Sequence, residues 1–357
     1  MATIWDPVKM GTLTLPHRLA MAPMTRSRAE ADGTPAALAA EYYAQRASLG
    51  LLISEGAQPS ADGQGYMSTP GIYTDRHVAG WKRIADAVHQ HGGHLFIQLM
   101  HVGRVSHPAN TPHHRPALAP SAVATGGKIF TPSGMLDEPV PRAMSTADIR
   151  TTIDDFAHAA ARAIEAGADG VEIHGANGYL VQQFLSTNAN LRDDEYGGSI
   201  ENRARFAIET AAAVANAIGA DRTGIRLSPG STFNVIAEGD DYEALYRYLV
   251  QELAKLGLAY IHVVHHGNEH LVQDLRRLWP NALLLNRGGQ PLESIGSDIE
   301  AGLADVMTLG RWALANPDLV DRLRADAPLN EPDPATFYGG DARGYTDYPR
   351  LAEAAVA

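Results

Sequence analysis

Eight short apolar runs, each followed by a longer amphipathic stretch, constrain this chain more than any other feature of its sequence. They are Leu19 to Met24, Leu51 to Ser54, Leu95 to Leu99, Gly170 to His174, Gly224 to Leu227, Tyr260 to Val264, Ala282 to Leu285 and Asp305 to Leu309. Runs of this length suit buried strands, and their alternation with helical periodicity is the pattern of βα units around a parallel sheet. The stretch from Ser145 shows the helical half of the unit. Ser145 and Asp148 make an S-x-x-D cap, Ile149, Ile153, Phe156, Ala160 and Ile164 keep one face apolar, and Gly167 stops the helix. Leu49-Gly50-Leu51, Leu256-Gly257-Leu258 and Ala301-Gly302-Leu303 read as the same hand-over, a helix-ending glycine just before a strand. Eight such units in 357 residues match a closed (β/α)8 TIM barrel better than an open doubly wound sheet. No Pro/Ser-rich linker and no tandem repeat divides the chain, so residues 1–357 are expected to form a single barrel domain. One connection is too long for a loop: about 40 proline-rich residues from His101 to Arg142, expected as an insertion after the third strand that caps one end of the barrel.

Composition removes several classes of function. A formal net charge of -12 repels a nucleic-acid backbone or an anionic membrane, so any phosphate ligand must be held by local groups. The absence of cysteine excludes disulfides, thiolate metal sites and cysteine nucleophiles together. Met1 to Met10 does not read as a secretion signal, and no apolar run is long enough to span a bilayer. A cytoplasmic enzyme acting on a small molecule is the simplest expectation, with its oligomeric state open. The clusters His89-Gln90-His91 with His94, His113-His114, and His262 with His265-His266 lack the carboxylate company of a metal motif, and no metal is expected.

Catalytic groups of barrel enzymes come from the C-terminal ends of the strands. Those ends read Pro23-Met24-Thr25, Glu55-Gly56, Gln98, His174, Arg226, His265, Arg287-Gly288-Gly289 and Gly310-Arg311. Loops after the seventh and eighth strands commonly grip phosphate, a role that fits Gly288, Gly289 and Arg311. The densest cluster is His174-x-x-Asn177-x-Tyr179. Alone, a strand-end histidine is more often a structural hydrogen-bonder and Asn-Gly more often a turn. At a barrel mouth, the three side chains together point to a site that polarises a carbonyl and supplies a proton.

The segments Met21-Ala22-Pro23-Met24-Thr25-Arg26, Gln98 to Arg104, His174 to Leu180, Asp193 to Ser199, Ala315 to Leu319, Phe337 to Gly340 and Gly344 to Pro349, in this order, resemble the Old Yellow Enzyme family over Trp5 to Pro349. The resemblance implies an FMN-dependent ene-reductase that takes hydride from NADPH or NADH and delivers it to the β-carbon of enones, maleimides or nitroalkenes. It implies noncovalent FMN, with Gln98 and Arg226 at the electron-rich pyrimidine edge, Thr25 donating to O4, and Pro23, Met24 and Gly56 along the ring. The phosphate would lie against Gly288, Gly289, Gly310 and Arg311. His174 and Asn177 would hold the substrate oxygen, Tyr179 would protonate the α-carbon, and Tyr66, Met100 and Tyr338 would wall the pocket. Met100 stands where the family usually has tryptophan, which implies a wider cavity. Thr25 places the chain with the threonine-bearing branch, not the branch with cysteine beside the flavin. The chain lacks a G-x-G-x-x-G fingerprint, which fits a nicotinamide that visits the substrate's own place. Two other readings stay open. A flavin-free barrel lyase or aldolase would need a strand-end lysine, which none of the eight ends carries, and a non-catalytic flavin-binding barrel would show colour without bleaching by NADPH.

Overall fold

The computed structural model describes residues 1–351, so the last six residues of the expected domain lie outside the described residues. Eight parallel strands close into one barrel: β1 Leu19–Met21, β2 Leu51–Ala57, β3 Leu95–Leu99, β4 Gly170–Gly175, β5 Thr223–Leu227, β6 Tyr260–Val264, β7 Ala282–Asn286 and β8 Val306–Leu309. The ring closes between β8 and β1, where Met307 pairs with Leu19 and Leu309 with Met21. Each apolar run forms a strand; β3 and β6 match theirs end to end, four others differ by one residue at one end, and β1 and β2 differ by three. β1 stops at Met21, two residues before Pro23, which has no N–H to continue a ladder. β2 runs on to Ala57 through a register shift between Ile53 and Gly56, which carries Glu55 and Gly56 into the cavity end of the barrel.

The helices between the strands follow their local signals. Thr146–Glu165 begins at a full capping box between Ser145 and Asp148 and ends before Gly167, at φ 92°. Gly257 (φ 71°) and Gly302 (φ 69°) also take left-handed conformations at hand-overs to strands. Gly50 differs from expectation. Its helix ends earlier, at Gln45, and a Cβ on Gly50 would lie 2.7 Å from the His17 carbonyl oxygen, so the glycine permits close backbone approach and does not cap a helix.

Inside the barrel the side chains form layers. The lower one is apolar, with Ala20, Leu51, Ile53, Phe96, Tyr260, Leu284 and Val306 packed on Val8, Met10 and Leu15 of the N-terminal hairpin Val8–Met10/Leu13–Leu15, which closes that end. Two glycines make room for its large rings. Gly170 faces Phe96 and Gly224 faces Tyr260 across the sheet, and a Cβ at either position would lie 2.5 Å or 2.3 Å from the facing ring. The upper layer is polar and floors the cavity.

The long connection after β3 forms the expected cap. Lys128–Thr131 and Gly134–Asp137 pair as an antiparallel hairpin, and Leu118–Ala119 pairs in parallel with Arg142–Ala143 at its base. His101, where the connection begins, is buried and accepts on its carbonyl from the Leu180 N–H (3.0 Å), tying the cap to the segment after β4. Among the described residues no helix is long and apolar enough to cross a membrane.

Gly224→Ala should destabilise the fold by about 1–3 kcal/mol, because the methyl must displace the Tyr260 ring in a packed interior. A thermal melt beside the wild type checks this. Burial holds the His101 imidazole down at about 4 against an ordinary 6.5. The unfolded chain therefore binds this proton first as pH falls, and the folded state loses stability across that window, by about 3 kcal/mol at its lower end. The stability advantage of the wild type over His101→Gln should shrink by that amount between pH 6.5 and 4 in urea melts. A constant difference would contradict it.

Candidate active site

The polar end of the barrel opens into a cavity of about 300 Å³, lined by Pro23, Met24, Thr25, Gln98, Met100, His174, Asn177, Tyr179, Arg226, Arg311 and Tyr338. Every one of these was singled out from the sequence, although they span more than three hundred positions. Phe233, Leu314 and Phe337 complete the wall. Arg311 also borders a cleft of about 280 Å³ formed by Asn286, Arg287, Gly288, Gly289 and Gly310. On the other side, Thr25, Tyr66, Tyr179 and Tyr338 border an outer chamber of about 540 Å³ under the capping hairpin, which contributes Lys128, Ile129, Phe130 and Met135. Gly56 is not on the cavity wall. Met100 covers it, and a Cβ there would lie 2.7 Å from the Met100 sulfur.

The floor is built to meet negative charge. Arg226, on β5, is buried, and its Nε has no hydrogen-bond partner among the described residues. A buried guanidinium with an unused donor is costly unless an acceptor fills the space beside it. Gln98, on β3, donates from Nε2 to Glu172 Oε1 (2.7 Å). Its amide therefore offers the cavity a carbonyl as well as its remaining N–H, where the sequence suggested only a donor.

In the adjoining cleft, a Cβ on Gly288 or Gly289 would meet nothing within 4 Å, so the backbone is open to a ligand. Arg287 is occupied elsewhere, held by Asp298 (2.6 Å) and Glu269 (2.7 Å). Arg311 makes no ion pair among the described residues, and its guanidinium lies 5.2 Å from the Trp312 ring. It is the cation this cleft offers to a phosphate. An orphaned donor on the floor and an open glycine cleft with a free arginine beside it fit a flavin mononucleotide.

The segment after β4 is held from several sides. Asn177 sits at φ 57°, a left-handed conformation that asparagine tolerates better than most residues. Its N–H donates to Ser228 Oγ (2.9 Å), and its carbonyl accepts from Asn234 Nδ2 (2.8 Å). Gly178 has φ 75°, and a Cβ there would lie 2.6 Å from the Phe233 carbonyl oxygen. Two fully buried glutamines anchor the turn: Gln182 accepts from the Gly178 N–H (2.7 Å), and Gln183 donates to the Gly178 carbonyl (2.8 Å). His174 Nδ1 accepts from the Ala176 N–H (3.3 Å), which leaves the ring proton on Nε2, the nitrogen not engaged by the backbone. Burial, with Arg226 and His262 nearby, holds the imidazole well below its usual range, so His174 is a neutral donor. The Tyr179 hydroxyl lies 3.0 Å from the Tyr66 hydroxyl, and its ring meets His174 edge-on with centroids 5.0 Å apart. Burial raises the Tyr179 pKa, although hydrogen bonds to Tyr66 and Asn234 work against the shift, so the phenol keeps its proton at neutral pH.

The roof comes from the C-terminal segment. Arg26 donates to the carbonyls of Phe337 (3.0 Å) and Gly344 (2.8 Å), Arg28 to those of Thr336 (3.0 Å) and Arg343 (3.1 Å), and Arg46 to that of Tyr345 (3.3 Å). Tyr345 stacks on Tyr42 with centroids 4.2 Å apart. This clasp sets Phe337 and Tyr338 over the cavity. Sequence reasoning missed Asn234, Glu138 on the outer chamber and Glu172 beneath the floor. Asn234 and Glu138 stand alone in loops, without a motif. Glu172 was legible only as a charge inside an otherwise apolar strand.

The family model for the NADH:flavin oxidoreductase / NADH oxidase family matches residues 3–330. The chain is 46% identical to 12-oxophytodienoate reductase 1 of Oryza sativa subsp. japonica, over 97% of this chain and 93% of that one. It is 42% identical to a probable flavin mononucleotide-dependent alkene reductase of Leishmania infantum, over 96% of each. Among solved structures, morphinone reductase in complex with tetrahydroNAD superposes with a TM-score of 0.93 at 43% identity, covering 98% of both chains. The Old Yellow Enzyme homologue of Zymomonas mobilis superposes with a TM-score of 0.94 at 36% identity, covering 98% of this chain and all of that one. With the barrel, the residues that line its cavity and these relatives in agreement, the chain belongs to the NADH:flavin oxidoreductase / NADH oxidase family, that of the Old Yellow Enzymes, and is an FMN-dependent NAD(P)H oxidoreductase.

Proposed function

We propose that this chain is an ene-reductase of the threonine-bearing branch, acting in the cytoplasm as one barrel domain on small activated alkenes, with neither nucleic acid nor membrane as partner. The observation that carries the reading is the convergence of His174, Asn177 and Tyr179 on the cavity that Gln98 and Arg226 floor. FMN, when bound, would supply the hydride-transfer chemistry between nicotinamide and alkene. Gln98 and Arg226 would hold its pyrimidine edge, Thr25 its O4, Pro23 and Met24 its ring, and Gly288, Gly289, Gly310 and Arg311 its phosphate. Gly56 contributes indirectly, as the seat of Met100.

His174 donates through Nε2–H and Asn177 through its side-chain amide to the substrate's carbonyl or nitro oxygen. Electron density drawn toward that oxygen leaves the β-carbon electrophilic. Tyr179 then gives its proton to the α-carbon. A weak acid suffices there, because the acceptor carbon is strongly basic. Tyr66 holds the Tyr179 hydroxyl, while Tyr338 and the aromatic rim shield the site from water.

The primary test is a yellow preparation, or one that takes up FMN, bleached by NADPH and recovered by cyclohexenone. Tyr179→Phe should leave flavin reduction near wild type and slow reoxidation by cyclohexenone by about 10²- to 10⁴-fold, as loss of a positioned acid does. Stopped-flow traces of the two half-reactions check this, and equal rates in both would remove Tyr179 from the proton transfer. Met100 packs against Val102, Val105 and Tyr179, with Tyr66 alongside. Met100→Trp should therefore lower turnover of bulky enones relative to cyclohexenone while flavin reduction is retained. Parallel losses across substrate sizes would contradict it.

A further inference from the structure

Beneath the cavity floor lies a buried carboxylate that the reading above does not use. Glu172, on β4, is fully shielded from solvent inside the barrel. It accepts from Gln98 Nε2 on β3 (2.7 Å), from the Tyr260 hydroxyl on β6 (3.1 Å) and from His262 Nδ1, also on β6 (2.8 Å). His262 Nε2 meets Thr308 Oγ1 on β8 (3.0 Å), which also accepts from Asn286 Nδ2 on β7 (3.0 Å). One carboxylate thus organises donors from across the ring. Burial disfavours its charge, yet the His262 and Gln98 hydrogen bonds and the nearby Arg226 charge outweigh burial and hold Glu172 below the usual carboxylate range. Burial keeps His262 neutral, so its Nδ1–H donates to Glu172 and its Nε2 accepts from the Thr308 hydroxyl.

Packing does not require this arrangement. The layer directly below fills the same barrel with Ile53, Phe96, Leu284 and Val306. A buried ion among apolar neighbours adds little or nothing to stability over a well-packed hydrophobic residue. What distinguishes the upper layer is what stands on it: Gln98, which Glu172 holds directly, and Arg226, whose charge it opposes without a salt-bridge contact.

We propose that Glu172 is a positioning residue of the flavin site, which orients the Gln98 amide and supplies the counter-charge to Arg226, and so sets how strongly the floor favours reduced over oxidised FMN. This rests on the reading that Gln98 and Arg226 face the flavin pyrimidine. Reduction adds negative charge at that edge, which Arg226 attracts and Glu172 repels. Removing the carboxylate charge leaves Arg226 unopposed.

The test compares Glu172→Gln and Glu172→Asp with the wild-type holoenzyme. Midpoint potentials come from dye-linked equilibrium titration, and FMN affinities from fluorescence titration of the apoprotein. Glu172→Gln should shift the ratio of affinities toward reduced FMN on the order of tenfold, about 30 mV upward for a two-electron couple. Glu172→Asp keeps the charge but withdraws it from Gln98. It should hold the potential near wild type while binding FMN more weakly. A wild-type potential in Glu172→Gln, or an equal shift in both variants, would overturn the proposal. Where Glu172→Gln does not fold, Glu172→Asp decides alone: weaker FMN binding at an unchanged potential supports the proposal, and wild-type values for both overturn it. Protein that binds FMN with these shifts but reduces no enone would refute the substrate reading and leave this one standing.

Discussion

Closure of the ring between β8 and β1 fixes the register of every strand between them, and with it which side chains point inward. Side chains alternate faces along a strand, so a one-residue slip would turn Gln98, Glu172, Arg226 and His262 outward together. Register also sets their height in the barrel. Glu172 stands level with Gln98 on one side, while Arg226 is level with His174 and His262. The apolar layer and the N-terminal hairpin below supply the burial that makes this possible, because polar groups on such a floor are fixed only where water cannot replace their partners.

The chain carries a formal charge of -12, yet its cavity presents Arg226 and Arg311. The two facts are compatible because the cationic groups are few, local and placed by backbone geometry, while the excess of acids is spread over the whole chain. Over distances beyond a Debye length of about 8 Å at physiological salt, that outer charge contributes little to what a bound phosphate or flavin ring experiences.

Much of this was legible from the residues because the signals were periodic or clustered. β3 and β6 match their apolar runs end to end, and the capping box at Ser145 starts a helix where it should. The cavity wall could be assembled from strand-end residues because barrel topology gathers those ends in one place. The failures have physical causes. Leu19 to Met24 reads as one apolar run, but proline ends the ladder; Gly50 looks like a cap, but serves a close approach to His17. Gly56 belongs to the right strand end but lies under Met100, a contact between residues forty-four positions apart that no local pattern announces. Asn234, a lone residue in the loop after β5, reaches Asn177 only through the folded chain.

The clasp that carries the roof has a different kind of consequence. Arg26, Arg28 and Arg46 grip the C-terminal segment by its main-chain carbonyls, and every amino acid supplies a carbonyl. At positions 336, 337 and 343 the anchorage is therefore indifferent to the side chain, whereas Tyr345 is held by its ring as well. Positions 337 and 338, which face the cavity, are free to vary between descendants of such a chain without loosening the strap. The floor has no such freedom, since each of its contacts depends on a particular side chain. Lineages built on this scaffold can thus diversify in what they accept while their redox chemistry stays constant.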